Sequence, residues 1–282
     1  MKYIFIITLC FPIFTYSQDD LLSEIDSDSV GIEYATAAFK GLKIVNFEST
    51  KLVAKKELTF IVSHRFGSIE DGFDTFFGLD NAVTRLNFVY GLTDNFNIGI
   101  SRSSYQKTYE ASAKYRLIRQ QKNGFPFTIV GFNEILINTA LEKDNLPKLE
   151  LKHRLSYVAQ VLISRKVSTN FSFELAPTFF HDNYVMLDSQ DNSQFALGLG
   201  GRYKLTKRWS LNMDYGWHLN RANDSPFKNP FSIGVDLETG GHVFQMHFTN
   251  AQPMNTNGFL GQSTGDWTDG NIYFGFNLSR VF

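Results

Sequence analysis

From Glu57 to the C-terminus, large apolar side chains recur at every second position, in short runs separated by turn residues. A period of two sends successive side chains to opposite faces of a strand, so the pattern predicts β-structure rather than helix. There are about twelve such runs. They span 58–66, 82–90, 96–102, 108–118, 127–138, 149–163, 171–180, 195–205, 209–220, 231–237, 243–249 and 271–282. The ninth is the clearest. Trp209, Leu211, Met213, Tyr215, Trp217 and Leu219 form one face, and Ser210, Asn212, Asp214, Gly216, His218 and Asn220 form the other. In the fourth, Tyr109, Ala111, Ala113, Tyr115 and Leu117 oppose Thr108, Glu110, Ser112, Lys114 and Arg116. A soluble sandwich also alternates, but aromatics near both ends of the apolar face match the two interfacial girdles of a membrane barrel.

The connections point the same way. Those at 93–95, 206–208 and 238–242 are short, whereas those around Asp71-Gly72 and at 182–192, 220–230 and 250–269 are long. Short turns alternating with long loops are the pattern of periplasmic and extracellular connections; Gln106-Lys107 is short where a long loop is expected. The expected fold is all-β: a closed, antiparallel up-and-down transmembrane β-barrel of about 12 strands over residues 57–282. An even strand number leaves both termini on the periplasmic side.

The first residues read differently. Lys2, an apolar run over 3–16, then Ser17 and Gln18 have the layout of a secretory signal peptide over 1–17. Cys10 is the only cysteine, and Leu9 precedes it where a lipoprotein signal wants a small residue. Cleavage would leave a chain without disulfides or thiolate chemistry. Residues 18–29 are acidic and unpatterned, a solvated tether. Residues 31–56, with an apolar piece at 41–47, read as an N-terminal periplasmic segment or partial plug. No later run of 18 or more apolar residues predicts a spanning helix. A net charge of −1 offers no basic face for nucleic acid, although the chain carries 28 Phe, 12 Tyr and 3 Trp among its 282 residues.

The faces opposite the apolar ones carry the candidate lumen: Arg85, Glu110, Lys114, Arg116, Glu134, Lys152, Arg154, Glu174, Arg202, Lys204, Asp214 and Asp236. Two readings stay open. These groups line a water-filled pore for small polar solutes, or they pair with one another and close a structural or partner-binding barrel. On the parity of the ninth run, Met213→Arg should be costly and Asn212→Arg mild. Gly198 to Gly201 read as curvature residues, since no helix follows to make a phosphate loop. Catalytic groupings are absent: Ser63 and His64 are adjacent and point to opposite faces, and His218 with Asn220 has no serine at a useful spacing. His181, Asp182 and Asp188 read as a hydrated loop, and His242 and His247 lack a third ligand. No cofactor, metal or enzymatic activity is expected.

The chain ends on Phe282, with Leu278, Phe276 and Phe274 at the same parity. This ending resembles the C-terminal signal read by the outer-membrane barrel-assembly machinery, which would make that machinery a partner and outer-membrane lipid the surroundings. Phe39-Lys40-Gly41, Ser63-His64-Arg65-Phe66-Gly67, Phe77-Gly78-Leu79-Asp80, Tyr90-Gly91-Leu92-Thr93-Asp94 and the run from Gly99 to Tyr105 resemble a family of uncharacterised outer-membrane β-barrel proteins, a domain of unknown function. That resemblance implies a fold and a location, and supplies no activity or oligomeric state.

Overall fold

The computed structural model describes residues 32–282. The expected signal peptide, Cys10 and the acidic stretch lie outside the described residues. The period-two runs become twelve strands: β1 Leu58–Ser68, β2 Ala82–Thr93, β3 Phe96–Ser103, β4 Tyr109–Ile118, β5 Thr128–Ile137, β6 Leu155–Lys166, β7 Phe171–Asp182, β8 Ser193–Lys204, β9 Trp209–His218, β10 Phe231–Thr239, β11 His242–Thr249 and β12 Tyr273–Val281. Each pairs antiparallel with its sequence neighbours, and β12 returns to β1 to close the barrel. Thr59 faces Val281 and Val62 faces Leu278 across the closure. Beyond the last strand, Phe282 N donates to Leu58 O (2.8 Å) and Leu58 N donates to Phe282 O (3.1 Å). Closure leaves no row of unpaired N–H and C=O groups, which hydrocarbon would penalise.

The alternation fixes which face is which. On β9, Trp209, Met213 and Trp217 are exposed, whereas Ser210, Asn212, Asp214 and His218 are buried. On β12, Phe274, Phe276 and Leu278 lie on the outer face, while Asn277 is buried. One end of the barrel carries tight connections such as Gly240-Gly241 and both chain ends of the strand set; the other carries most of the long loops. The connection over 104–108 is the short exception among them.

The sixth strand begins later than its periodicity suggests. Residues Leu151–Arg154 form a 3-10 turn, capped reciprocally by Glu150 and His153, and β6 starts at Leu155. Lys152 is therefore not on a barrel wall. It is exposed and pairs with Glu150 at 2.9 Å. Arg154 sits on the same turn, at the long-loop end, and donates to Asn138 O (3.2 Å).

Candidate functional site

The lumen is occupied. Residues 38–53 enter from the end where β1 begins, turn deep inside, and leave by the same end; Phe39, Ile44, Val45 and Phe47 are all buried. The turn is a tight hairpin: Lys43 bridges Glu48, Ile44 N donates to Phe47 O (2.9 Å) and Ser49 N to Leu42 O (2.8 Å). A hairpin this short satisfies only part of its backbone, and a buried N–H left alone costs about 1–3 kcal/mol. The barrel supplies the remaining partners from its inward side chains.

Asp214 of β9 makes the strongest of these contacts. Its Oδ2 accepts from Val45 N (3.0 Å), Asn46 N (2.7 Å) and Phe47 N (3.1 Å), so one carboxylate gathers three successive amides at the hairpin tip. Glu174 of β7 accepts from Thr50 N (3.0 Å). Asn97 of β3 both accepts from Val53 N (2.8 Å) and donates to Val53 O (2.9 Å). Gln245 of β11 donates to Ile44 O (2.9 Å), and Asn277 of β12 to Val45 O (3.2 Å). Lys114 of β4 pairs with Glu48 (2.6 Å), which also holds Lys43 (2.9 Å). Arg65 of β1 completes the set through Asn46 Oδ1 (3.0 Å).

The other inward charges gather in smaller groups. Arg85 pairs with Glu110 and lies 3.6 Å from Glu134; Ser101 also donates to Glu110 (2.6 Å). Arg202 donates to Ala38 O (3.1 Å) on the entering chain, and Asp236 accepts from Gln245 (3.0 Å). Arg116 and Lys204 are half-buried at the strand ends where residues 38–53 enter. The structure thus brings together Arg85, Glu110 and Glu134, and sets Lys114, Glu174, Arg202 and Asp214 around the hairpin, while Lys152 and Arg154 stand apart.

One sector is apolar. Val130, Phe132 and Leu136 of β5, Val158 and Leu162 of β6, and Phe180 of β7 are buried with Phe39, Ile44, Phe47 and Leu52. Room for the tip comes from glycine. A Cβ at Gly198 would collide with the Phe47 ring, and one at Gly200 with Ile44. Gly198 and Gly200 therefore clear space for the hairpin, a tighter requirement than curvature.

The long-loop end is covered as well. A short helix, α1 (Thr256–Gly261), folds into the mouth with Phe259 and Leu260 buried. Phe259 meets Phe47 edge-on, ring centroids 4.9 Å apart, so the loop helix and hairpin tip touch inside the barrel. Asn257 donates to Asp182 Oδ1 (2.6 Å), and Arg221 to Leu260 O (2.8 Å). Burial pushes the Arg221 guanidinium down to about 10. Beside the helix a cavity of about 70 Å³ is lined by Asn138, Arg154, Asp182 and Asn257.

The amides Asn97, Gln245 and Asn277 and the hairpin residues Asn46 and Phe47 escape sequence reasoning. Their inward parity is legible, but their partners lie far away along the chain. Among the described residues there is no group of three or more His, Cys, Asp or Glu placed to hold a metal ion.

A family model described as "Membrane bound beta barrel domain (DUF5777)" matches residues 39–282. The match starts at Phe39 and so takes in the hairpin as well as the barrel. None of the curated proteins matches. Among solved structures, the NanC porin aligns with a TM-score of 0.50 and 11% identity over 79% of this chain and 98% of that one. The KdgM porin in complex with disordered oligogalacturonate aligns with 0.50 and 8% identity over 80% and 99%. At such identities the likeness is one of fold.

Proposed function

The chain belongs to the family of membrane-bound β-barrel domains, and from that premise we propose that it is an outer-membrane pore for small polar solutes, held shut by its own residues 38–53. The observation that carries the reading is the chemistry of the interface between hairpin and wall. Asp214, Glu174, Asn97, Gln245 and Asn277 hold the hairpin by its main chain. Such groups exchange readily for water, so the wall left behind on withdrawal is a hydrated channel. The hairpin enters and leaves by one end, so it can be drawn out without threading. The division that goes with this reading is a signal peptide at 1–17, a plug-bearing segment at 18–56 and a barrel at 57–282. Both termini then face the periplasm, Phe282 addresses the barrel-assembly machinery, and the protein conducts rather than catalyses.

A second reading, a permanently closed barrel that serves as structure or as a partner-binding surface, draws support from the apolar contact of Phe47 with Phe259. Conductance in planar bilayers separates the two. The full-length mature protein is expected to be nearly silent, and a variant lacking 38–53 to give discrete, salt-dependent steps. Because that deletion strips partners from buried charges, a second variant keeps the hairpin: Asn46→Cys with Ser232→Cys, at positions joined by a hydrogen bond from Asn46 Nδ2 to Ser232 Oγ (2.9 Å). With the tip freed by Asp214→Ala, this pair should conduct when reduced and fall silent when oxidised. Silence from correctly folded deletion and reduced proteins alike selects the closed barrel.

A further inference from the structure

The end where the hairpin enters carries a cluster of cations. Arg116 and Arg119 stand at the end of β4, Lys166 and Arg202 near the ends of β6 and β8, and Lys40 and Lys51 on the two stems of the hairpin. Burial first, then the charges of Arg202, Lys204, Lys51 and Lys166, push the Lys40 ammonium below its ordinary value. Lys40 itself is neutralised by Glu238.

Arg116 and Arg119 have no such answer. Arg116 Nη1 donates to Asp94 O and Asn95 Oδ1 (3.3 Å each), but its buried Nε has no partner. The Arg119 guanidinium stands over the Tyr34 ring, its Cζ 4.6 Å from the centroid, and its N–H groups make no hydrogen bond among the described residues. Stacking orients a guanidinium while leaving its edge free to bind.

Two adjoining cavities share these two arginines. One, of about 160 Å³, lies against the hairpin stems and is lined also by Thr36, Thr50, Lys51 and Thr128; no carboxylate lines it. The other, of about 500 Å³, opens outward past Leu117 and Ile118. Leu117 is 60% exposed and Ile118 40%, an apolar shelf on the outer wall beside the guanidinium groups. The facing carboxylate, Asp94, accepts from Lys55 N (3.1 Å). Paired guanidinium edges with hydroxyl donors nearby match the tetrahedral oxygens of a phosphate group, and the shelf matches acyl chains.

We infer that Arg116 and Arg119, with Lys51 of the hairpin stem, form a phosphate-binding site on the barrel rim, taking a lipid headgroup with its chains on Leu117 and Ile118, or a free phosphate. The site joins wall to stem, so its occupant bridges the barrel and the segment that fills it. This inference does not depend on whether the barrel conducts.

The test is native mass spectrometry of the full-length mature protein in detergent, titrated separately with phosphatidylglycerol and with inorganic phosphate. The variants are Arg119→Gln, exposed and tolerant of change, and Arg116→Gln/Arg119→Gln, each checked for the heat-modifiable mobility of a folded barrel. The double variant should bind phosphatidylglycerol at least tenfold more weakly than the wild type, and Arg119→Gln should fall between. Loss confined to phosphatidylglycerol identifies the lipid as the source; loss with inorganic phosphate too identifies the oxyanion alone as sufficient. Equal binding of both probes by wild type and double variant overturns the site, and so does binding of neither by the wild type.

Discussion

At single positions, parity decides what a substitution does. Met213 is 42% exposed on the outer face, so Met213→Arg places a charge against lipid and should cost about 2–4 kcal/mol near the midplane. Its neighbour Asn212 points into a filled interior and is 1% exposed. The expectation that Asn212→Arg is mild therefore does not hold in this packed interior, where about 1–3 kcal/mol of overpacking is expected. Urea unfolding in lipid should therefore find both variants destabilised, and an unaffected Asn212→Arg would refute the packed interior. Asp214→Ala is the sharper case, because it strands three amides at the hairpin tip. Net destabilisation of the seated hairpin by about 3 kcal/mol is expected, on the order of 100-fold in the population withdrawn. A cysteine at Asn46 should then react with a small thiol reagent faster by that order. Unchanged protection would mean that the apolar sector alone holds the tip.

For the elements, strand closure and hairpin seating are separate problems. β12 pairs with β1 from Tyr273 to Val281, and the terminal Phe282 adds a further pair of backbone hydrogen bonds to Leu58. Phe282 itself is 62% exposed and its ring sits 4.7 Å from the Arg280 guanidinium. Little packing is lost when the ring is removed, about 1 kcal/mol, since most of it never leaves the surroundings. If its role is recognition during assembly, Phe282→Ala should reduce the amount in the outer membrane several-fold while barely moving the melting temperature of refolded protein. Normal membrane accumulation of Phe282→Ala would sink that role. Phe259→Ala probes the other seam, where α1 meets Phe47; removing a buried ring costs about 3–5 kcal/mol, and loosening should reach the hairpin through that contact. Thiol protection at position 46 should fall, even though Phe259 belongs to a loop at the far end.

Across the molecule, the even number of strands puts both ends of the strand set on one side of the membrane. If the termini face the periplasm, cysteines at Ser189 and Thr264, both exposed in long loops, should label in intact cells with an impermeant reagent in a Cys10→Ala background. A cysteine at Thr206, in the tight turn before β9, should not. The reverse pattern would invert the barrel.

A period of two was enough to find all twelve strands and to sort their faces, because alternation is a local property and any slip of one residue would expose the buried set. It misplaced the start of the sixth strand, where a capped turn over Leu151–Arg154 continues the apparent alternation and carries Lys152 and Arg154 off the wall. It also recognised that charge faces inward, yet left open what the charge meets. Phe47 and Asp214 are 167 positions apart, and Val45 and Asn277 are 232 apart. No local pattern encodes such pairs: a carboxylate turned toward water and one turned toward three amides look alike along a strand. Only closing the barrel brings the 38–53 hairpin within reach of side chains from β3, β7, β9, β11 and β12 at once. Architecture came from periodicity, which is local; the filled lumen came from long-range hydrogen bonds, which exist only once the strands have closed.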